Sequence, residues 1–427
     1  MIVGIVLCIF FIVLILIVWN KIPRSIVAMV GALLLVLIGE YSHFLTQEEA
    51  LQAIDFNTIG LLMGMMILVA IIKKTGFLTY IAIKSAKASQ GNLFSLMIIL
   101  GFATAFLSML IDNVTTLVII GPTTILIADI LGVSAIPFLI TEVIFSNIGG
   151  VGTLIGDPPN IMIASAAGFT FNDFLVHLFP LVIIVLIILT FFIKIIFRRE
   201  LKMSGDNFEA VLAMDERKAI SDHKGVRGSL FSLGVVLVML IFPTFFPFEP
   251  AFIALFGGSL ALILVRPDPD EVFRDVEWDI LFFFAALFVL VRAVEQTGLF
   301  IVITEGITHL AKMHFSWCAV LLMWCASFFS TFIGSIAFTA AAIPVIKEVP
   351  LLPEQTETLW WALAVGAGFG GNALPISSAA GVVCISILKR SERPLSMKTW
   401  IKTASVLTLI SLVIATLIFL LFGRIFF

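Results

Sequence analysis

The chain has 427 residues, of which 61% are hydrophobic and only 12% charged, and its net charge is −3. A soluble domain of this size needs roughly twice that charge to cover its surface, so an ordinary water-soluble fold is excluded. The four cysteines (Cys8, Cys318, Cys325, Cys384) and five histidines show no metal-ligand spacing. No phosphate-binding loop, dinucleotide fingerprint or nucleophile elbow occurs. The composition therefore points away from an enzyme, a nucleic-acid binder and a nucleotide-driven motor, and no cofactor or bound metal is expected.

The apolar residues come in runs long enough to cross a bilayer. Met1 to Trp19 carries no charge. It is too long for a signal-peptide core and lacks a basic start and a small-x-small cleavage site, so it reads as a span. Further crossings are predicted near 26–40, 57–72, 134–167 (interrupted), 175–197, 229–244, 251–265, 279–294, 358–388 (interrupted) and 400–422. Two apolar stretches, 93–128 and 316–346, are broken midway by polar residues and read as re-entrant hairpins. Irregular backbone at that depth is tolerated only where it is buried in protein or lines a wet cavity.

Placing the loop 198–228 in the cytoplasm puts 21 of the 25 Lys and Arg inside, Arg24, Lys73 and Arg393 among them. Only Arg292, Lys312, Lys347 and Arg424 then fall outside, which fits the positive-inside rule. Trp19, Trp278, Trp317, Trp360 and Trp400 fall near predicted span ends and read as interfacial anchors.

The two halves align at a nearly constant offset of 222. Asp55-Phe56-Asn57 matches Glu277-Trp278-Asp279, and Thr75-Gly76 matches Thr297-Gly298. Phe106, Ser108 and Pro122 match Phe328, Ser330 and Pro344; after one deletion, Gly149-Gly150 matches Gly370-Gly371. Each half holds an odd number of crossings, so the second half is expected to be inverted. The expected fold is thus an all-α polytopic membrane protein of two inverted repeats, each with a re-entrant hairpin and an interrupted helix. Residues 1–197 form the first repeat, 198–228 the cytoplasmic linker, marked by Gly205, Gly225 and Gly228, and 229–427 the second repeat. Inverted repeats with broken helices are the architecture of secondary transporters, whose substrate sites lie at the repeat interface.

Two motifs carry polar chemistry into this apolar frame. The first hairpin tip reads Leu110-Ile111-Asp112-Asn113-Val114-Thr115-Thr116. An acid and an amide there are costly in lipid. Helix capping by Asp112 or Asn113 is one explanation; an ion site built on the tip is the other. The second motif, Ser146-Asn147-Ile148-Gly149-Gly150-Val151-Gly152-Thr153-Leu154-Ile155-Gly156-Asp157-Pro158-Pro159-Asn160, cannot form a continuous helix. The break exposes carbonyls and amides, and Thr153, Asp157 and Asn160 add side-chain oxygens that suit a hard cation such as Na⁺. Glu142, shortly before the break, is a secondary candidate.

This second motif, followed by Ile161-Met162-Ile163-Ala164 and Phe171-Asn172-Asp173-Phe174, resembles the ion transporter superfamily, in the branch of arsenite permeases, NhaD-type Na⁺/H⁺ antiporters and the melanosomal P protein. The resemblance covers nearly the whole chain. It implies secondary transport through an inverted-repeat fold, with hairpin tips and unwound helices holding substrate and coupling ion. By motif, that role passes to Asp112, Asn113, Thr115, Thr116, Asn147, Thr153, Asp157 and Asn160. The second half departs from the pattern. Where relatives repeat an Asp-Asn, this chain has Gly334-Ser335, followed by Thr339; its second break holds Asn372, Pro375, Ser377 and Ser378 without a carboxylate. Ser335, Thr339, Asn372, Ser377 and Ser378 complete the candidate site, and replacing Gly334 by Asp is expected to be tolerated.

The first expectation is a cation (Na⁺)/proton antiporter with Asp112 and Asp157 as exchangeable carboxylates, because no Lys or Arg lies in either motif. Two alternatives stay open: an anion or oxyanion permease for dicarboxylate, citrate or arsenite, and a non-transporting or magnetosome-like paralogue. The expected partners are the lipid bilayer, a small inorganic ion or small anion, and H⁺ or Na⁺ as coupling ion; a homodimer is left open. The expected location is a bacterial inner membrane or an internal organelle membrane derived from it.

Overall fold

The computed structural model describes residues 2–19, 21–202, 208–391 and 394–426; Met1, Gly205 and Arg393 lie outside these, as do the side chains of Lys202 and Arg424. The described residues are helical, without strands. Helices satisfy every backbone polar group within one segment, which a bilayer requires. Nine of the described helices are long and apolar enough to cross a membrane.

The first half runs through α1 (Ile2–Trp19), α2 (Arg24–Ser42), the short α3 (Gln47–Gln52), α4 (Phe56–Lys74) and α5 (Phe77–Ala88). It continues with α6 (Leu93–Leu110), α7 (Asn113–Ile130), α8 (Ile136–Gly150), α9 (Pro158–Ala167) and α10 (Phe171–Ile196). The short α11 (Phe208–Ala213) and a 3₁₀ turn (Glu216–Ala219) lead into the second half. There follow α12 (His223–Ile241), α13 (Pro250–Val265), α14 (Pro269–Arg274), α15 (Trp278–Glu295) and α16 (Leu299–Ile333). Then come α17 (Ser335–Glu348), α18 (Pro353–Gly370), α19 (Ala379–Arg390), α20 (Met397–Trp400), a π turn (Ile401–Ser405) and α21 (Val406–Phe426). Non-helical dihedrals at His314 divide α16 into two arms.

Helix bounds recur at the spacing read from sequence. Gln47–Gln52 and Pro269–Arg274 lie 222 positions apart, as do the starts of α4 and α15, of α5 and α16, and of the returning arms α7 and α17. Helix neighbours recur as well. α4 packs on α13 and α15 on α2; α6 packs on α8 and the second arm of α16 on α18; α7 packs on α19 and α17 on α9. Each half therefore lends its second crossing to the other half's fourth helix, so the halves interlock. In an apolar solvent helices associate through close backbone approach rather than the hydrophobic effect. A Cβ on Gly149 would stand 2.7 Å from the Ala105 carbonyl oxygen, and one on Gly370 would stand 2.5 Å from that of Ser327. These paired glycines let α6–α8 and α16–α18 touch backbone to backbone.

Three sequence expectations change. Between the predicted crossing 57–72 and the hairpin 93–128 the chain forms a further helix, α5, which buries Leu78, Ala82, Ile83 and Ala86. The linker 198–228 is largely helical, and α12 begins inside it, at His223. Trp360 and Trp400 are buried, not interfacial. The Trp400 Nε1–H instead donates to the Asn372 carbonyl at 3.1 Å, which gives a backbone carbonyl of the second break a partner.

Candidate functional site

The first hairpin turns within Ile111 and Asp112. Asp112 caps α7: its Oδ1 accepts the Thr115 amide at 2.7 Å, and the Thr116 hydroxyl donates to its carbonyl at 2.6 Å. The capping role expected of this residue is thus real. The break between α8 and α9 lies against this tip. Ser108 donates to the Ser146 carbonyl at 2.8 Å, and the Thr153 hydroxyl donates to the Met109 carbonyl. Asn160 turns its Nδ2 onto three carbonyls of the unwound segment, those of Gly150, Val151 and Thr153, at 3.2, 3.0 and 2.7 Å. The Thr153 hydroxyl and Asn160 Nδ2 thus brace the break, while Asn160 Oδ1 is buried without a partner among the described residues.

The second half repeats the scheme. Ser330 donates to the Ala367 carbonyl at 2.7 Å, and Ser377 donates to the Thr331 carbonyl at 2.7 Å. Ser378 caps α19 by accepting the Gly381 amide at 3.1 Å. Asp157 holds the matching position before α9, yet makes no side-chain cap bond. Its carboxylate is buried and finds no hydrogen-bond partner among the described residues.

A chain of amides joins the halves. Asn113 Nδ2 donates to Asn147 Oδ1 at 3.1 Å; Asn147 Nδ2 donates to Asn372 Oδ1 at 2.8 Å and to Ser378 Oγ at 2.9 Å. Asn147 thereby ties the first hairpin tip to both breaks. A cavity of about 80 Å³ beside it is lined by Arg24, Asn113, Asn147, Asp157, Ser335, Ser377 and Ser378, among others. The first residues of α7, α9, α17 and α19 all reach its wall, so four helix N-termini converge there. Asp112 lies just behind, close enough for its charge to act on Asp157. Thr339 and Asn372 are buried nearby, and Thr339 Oγ1 and Asn372 Nδ2 have no partner among the described residues.

Arg24 escaped the sequence reading, which counted it among cytoplasmic loop charges. It starts α2, half-buried, and its Nη2 donates to the Ile376 carbonyl at 3.4 Å beside the second hairpin tip. The neighbouring Ser25 hydroxyl donates to Asp279 Oδ1, holding α2 to α15. A signal was available: an arginine at a helix N-terminus opposes the helix dipole and so invites a specific reason. Gly334, at the second tip, has φ +88° and ψ 149°, a region that only glycine occupies freely. Its matched position in the first half, Asp112, is extended at φ 177°. The expectation that Gly334→Asp is tolerated is therefore overturned by backbone strain.

Two clefts flank the tips. One of about 480 Å³ runs between α9, α15 and α17 and is lined by Asp55, Phe288, Val291, Arg292 and Ala340. The other, about 100 Å³, runs between α4, α7 and α9 past Asp112, and includes Met66, Val69, Ala70, Val118 and Glu277. Part of these linings corresponds at the repeat offset, Asp55 with Glu277 and Arg292 with Ala70 among the pairs. The same cleft thus occurs twice, wide on the side of Arg292 and narrow on the side of Lys73.

A many-helix membrane protein with two hairpin tips and two broken helices around one cavity that holds a carboxylate and an arginine has the build of a membrane transporter. The chain belongs to the citrate transporter family (CitMHS), whose profile matches residues 14–366, within the ion transporter superfamily. It is 37% identical over 409 residues to an uncharacterized transporter of Mycobacterium tuberculosis, covering 93% of each chain. It is 30% identical over 459 residues to the human P protein, covering 88% of this chain and 54% of that protein. Its fold is similar to the Alcanivorax borkumensis YdaH transporter (TM-score 0.63, 15% identity, 96% of this chain and 98% of that one). It is also similar to Neisseria gonorrhoeae MtrF (TM-score 0.65, 13% identity, 98% and 94% covered).

Proposed function

We propose that this protein is a secondary active transporter that binds a small anion of the carboxylate or oxyanion class in the central cavity and couples its movement to H⁺ or Na⁺ exchanged at Asp157, with Asp112 beside it. The carrying observation is the convergence of four helix N-termini and Arg24 on one buried cavity. Each N-terminus contributes about half a positive charge. With Arg24 these N-termini bring about three positive charges to the cavity, where Asp157 lies in the wall and Asp112 and Asp279 stand close by. A small anion held by these N-termini and Arg24 is balanced when Asp157 carries a proton or a cation, which would couple the two movements. The family name, citrate transporter, agrees with a carboxylate, although the cavity as it stands holds about two or three waters' volume and must widen for such a ligand. A second reading, cation/proton antiport, is favoured by one observation: the Asp157 carboxylate is buried and without a hydrogen-bond partner among the described residues.

The halves, 1–197 and 229–427, are taken as inverted repeats, and the wide and narrow clefts as the two ends of one path. Interchange of their shapes would give alternating access. The side of Lys73 is taken as cytoplasmic and the membrane as the bacterial inner membrane.

Flux into proteoliposomes tests the proposal. Labelled citrate, a smaller dicarboxylate and arsenite are offered under imposed pH and Na⁺ gradients, with cation-driven proton movement followed by a trapped dye. Anion uptake that collapses in Asp157→Asn, with insertion intact, is the expected result. Cation/proton exchange without anion uptake would put the second reading in its place, and an Asp157→Asn variant that transports like wild type would overturn both.

A further inference from the structure

Glu142 stands apart from the cavity, and nothing in the proposed cycle uses it. It lies on α8, upstream of Asn147, and its side chain is fully buried. Oε1 accepts the Thr124 hydroxyl of α7 at 2.6 Å, while Oε2 is buried without any partner among the described residues. A buried carboxylate needs a cation or several donors, and here one neutral hydroxyl is all that is offered. α6, which packs on α8, has no titratable side chain. α7 brings Asp129, α10 Asp173, His177 and Lys194, α18 Glu354 and Glu357, α19 Lys389 and Arg390, and the π turn Lys402. None of these forms an ion pair with Glu142 among the described residues. Cys384 of α19 is near enough to feel its charge.

The seal over Glu142 is an interface between the halves. α19 packs against both α7 and α8. The contact is tight, since a Cβ on Gly121 of α7 would stand 3.1 Å from Ile387 of α19. The same α7 lines the narrow cleft on the Lys73 side. Separation of α19 from α7 and α8 would wet the carboxyl, while closure requires it to be neutral.

We propose that Glu142 is a proton-binding site that controls the contact of α19 with α7 and α8. With its proton bound, the contact closes. When the carboxyl gives its proton to water on the Lys73 side, the resulting carboxylate opposes closure and favours the separated state. The proposal holds for either transported ion, because it concerns a contact outside the cavity. Alkalinity on the Lys73 side should therefore promote opening, and acidity should hold the contact shut.

Cys384, buried in this contact, is the reporter. In a variant with the other three cysteines changed to serine, its alkylation by N-ethylmaleimide is timed at several fixed pH values, with and without Glu142→Gln. Glutamine keeps the oxygen that accepts from Thr124 but cannot ionise. A neighbouring carboxylate hinders ionisation of a thiol, so the influence of Glu142 on Cys384 itself slows labelling of the parent and cannot mimic the expected result. Expected is labelling that outpaces the Gln variant by about tenfold for each pH unit above the titration of Glu142. Glu142→Asp, which keeps an ionisable acid, should retain the pH dependence. Equal labelling of the Gln and parent proteins at every pH would overturn the proposal. An infrared band of a protonated carboxyl, present in the parent and unchanged in Glu142→Gln, would also overturn it. These readouts do not depend on transport, so failure of the anion reading leaves this one separately tested.

Discussion

At the scale of residues, Asn147 and Arg24 carry the most weight. Asn147 uses both ends of its amide to join a hairpin tip to two helix breaks from different halves. An acid of the same shape has no amide donor. Asn147→Asp should therefore lose the bonds to Asn372 and Ser378 and cost about 1–3 kcal/mol through groups left unpaired. Thermal unfolding in detergent measures that loss, and transport should fall with it. Arg24→Gln removes the one arginine or lysine that lines the cavity among the described residues while leaving a polar side chain. If an anion is bound there, the loss of a charged hydrogen bond costs about 1.5–3 kcal/mol, a ten- to hundredfold rise in KM with kcat less affected. An unchanged KM would remove Arg24 from substrate binding. Asp112, Asn113, Asn147 and Asp157 were legible in the chain because polar residues amid apolar runs are conspicuous. Arg24 was not, since an arginine between two spans looks like any loop charge until folding brings it to the second tip.

At the scale of elements, the hairpins and broken helices depend on glycines whose duties differ. Gly334 needs its left-handed φ; Asp or Ala there should cost about 1–3 kcal/mol, read as a lower melting temperature. Gly149 and Gly370 need space instead. Gly149→Ala and Gly370→Ala should each push a helix pair apart and destabilise by about 1–3 kcal/mol. Similar losses in the two variants would reflect the matched geometry of the halves, whereas a neutral result at either would contradict the close contact. The segment before α12 is tied to α5 by Lys87 and Glu216 at 2.6 Å. Hydrogen bonding to Lys87, the largest cause, holds the Glu216 carboxyl below its usual range. A depressed carboxylate contributes its tie above its ordinary titration range and loses it as pH falls through the folded value. Protection of the 208–219 amides, relative to their intrinsic exchange at each pH, should accordingly fall on acidification, and Glu216→Gln should show the lower protection at every pH.

At the scale of the whole molecule, the proposed alternating access rests on two corresponding clefts of unequal width. If the repeats are inverted, a cysteine at Gln47, next to the wide side, and one at Ala213, in the segment between halves, face opposite compartments. In a background with the native cysteines replaced, an impermeant thiol reagent applied to oriented vesicles should label one of the two, and only the other after inside-out inversion. Labelling of both from one face would rule out the inverted arrangement. The recurrence of helix bounds at 222 positions was readable beforehand because Thr-Gly, Gly-Gly and proline punctuation mark where helices must stop, wherever they fold.

Sequence alone determined the membrane class, the position of both breaks, the repeat spacing and most of the polar candidates. Each follows from local costs: charge in lipid, and glycine or proline in a helix. Tertiary structure decided what those candidates do. It set Asn160 and Thr153 to bracing, buried Trp360 and Trp400, gathered four helix N-termini at one cavity and brought Arg24 to it. It also buried Glu142 with one hydroxyl partner among the described residues and made one of two partly corresponding clefts the wider. These outcomes depend on which helix lies against which across about two hundred residues of intervening chain, and on the summed field of dipoles and charges there. No local pattern encodes that sum; it exists only once the two halves interlock.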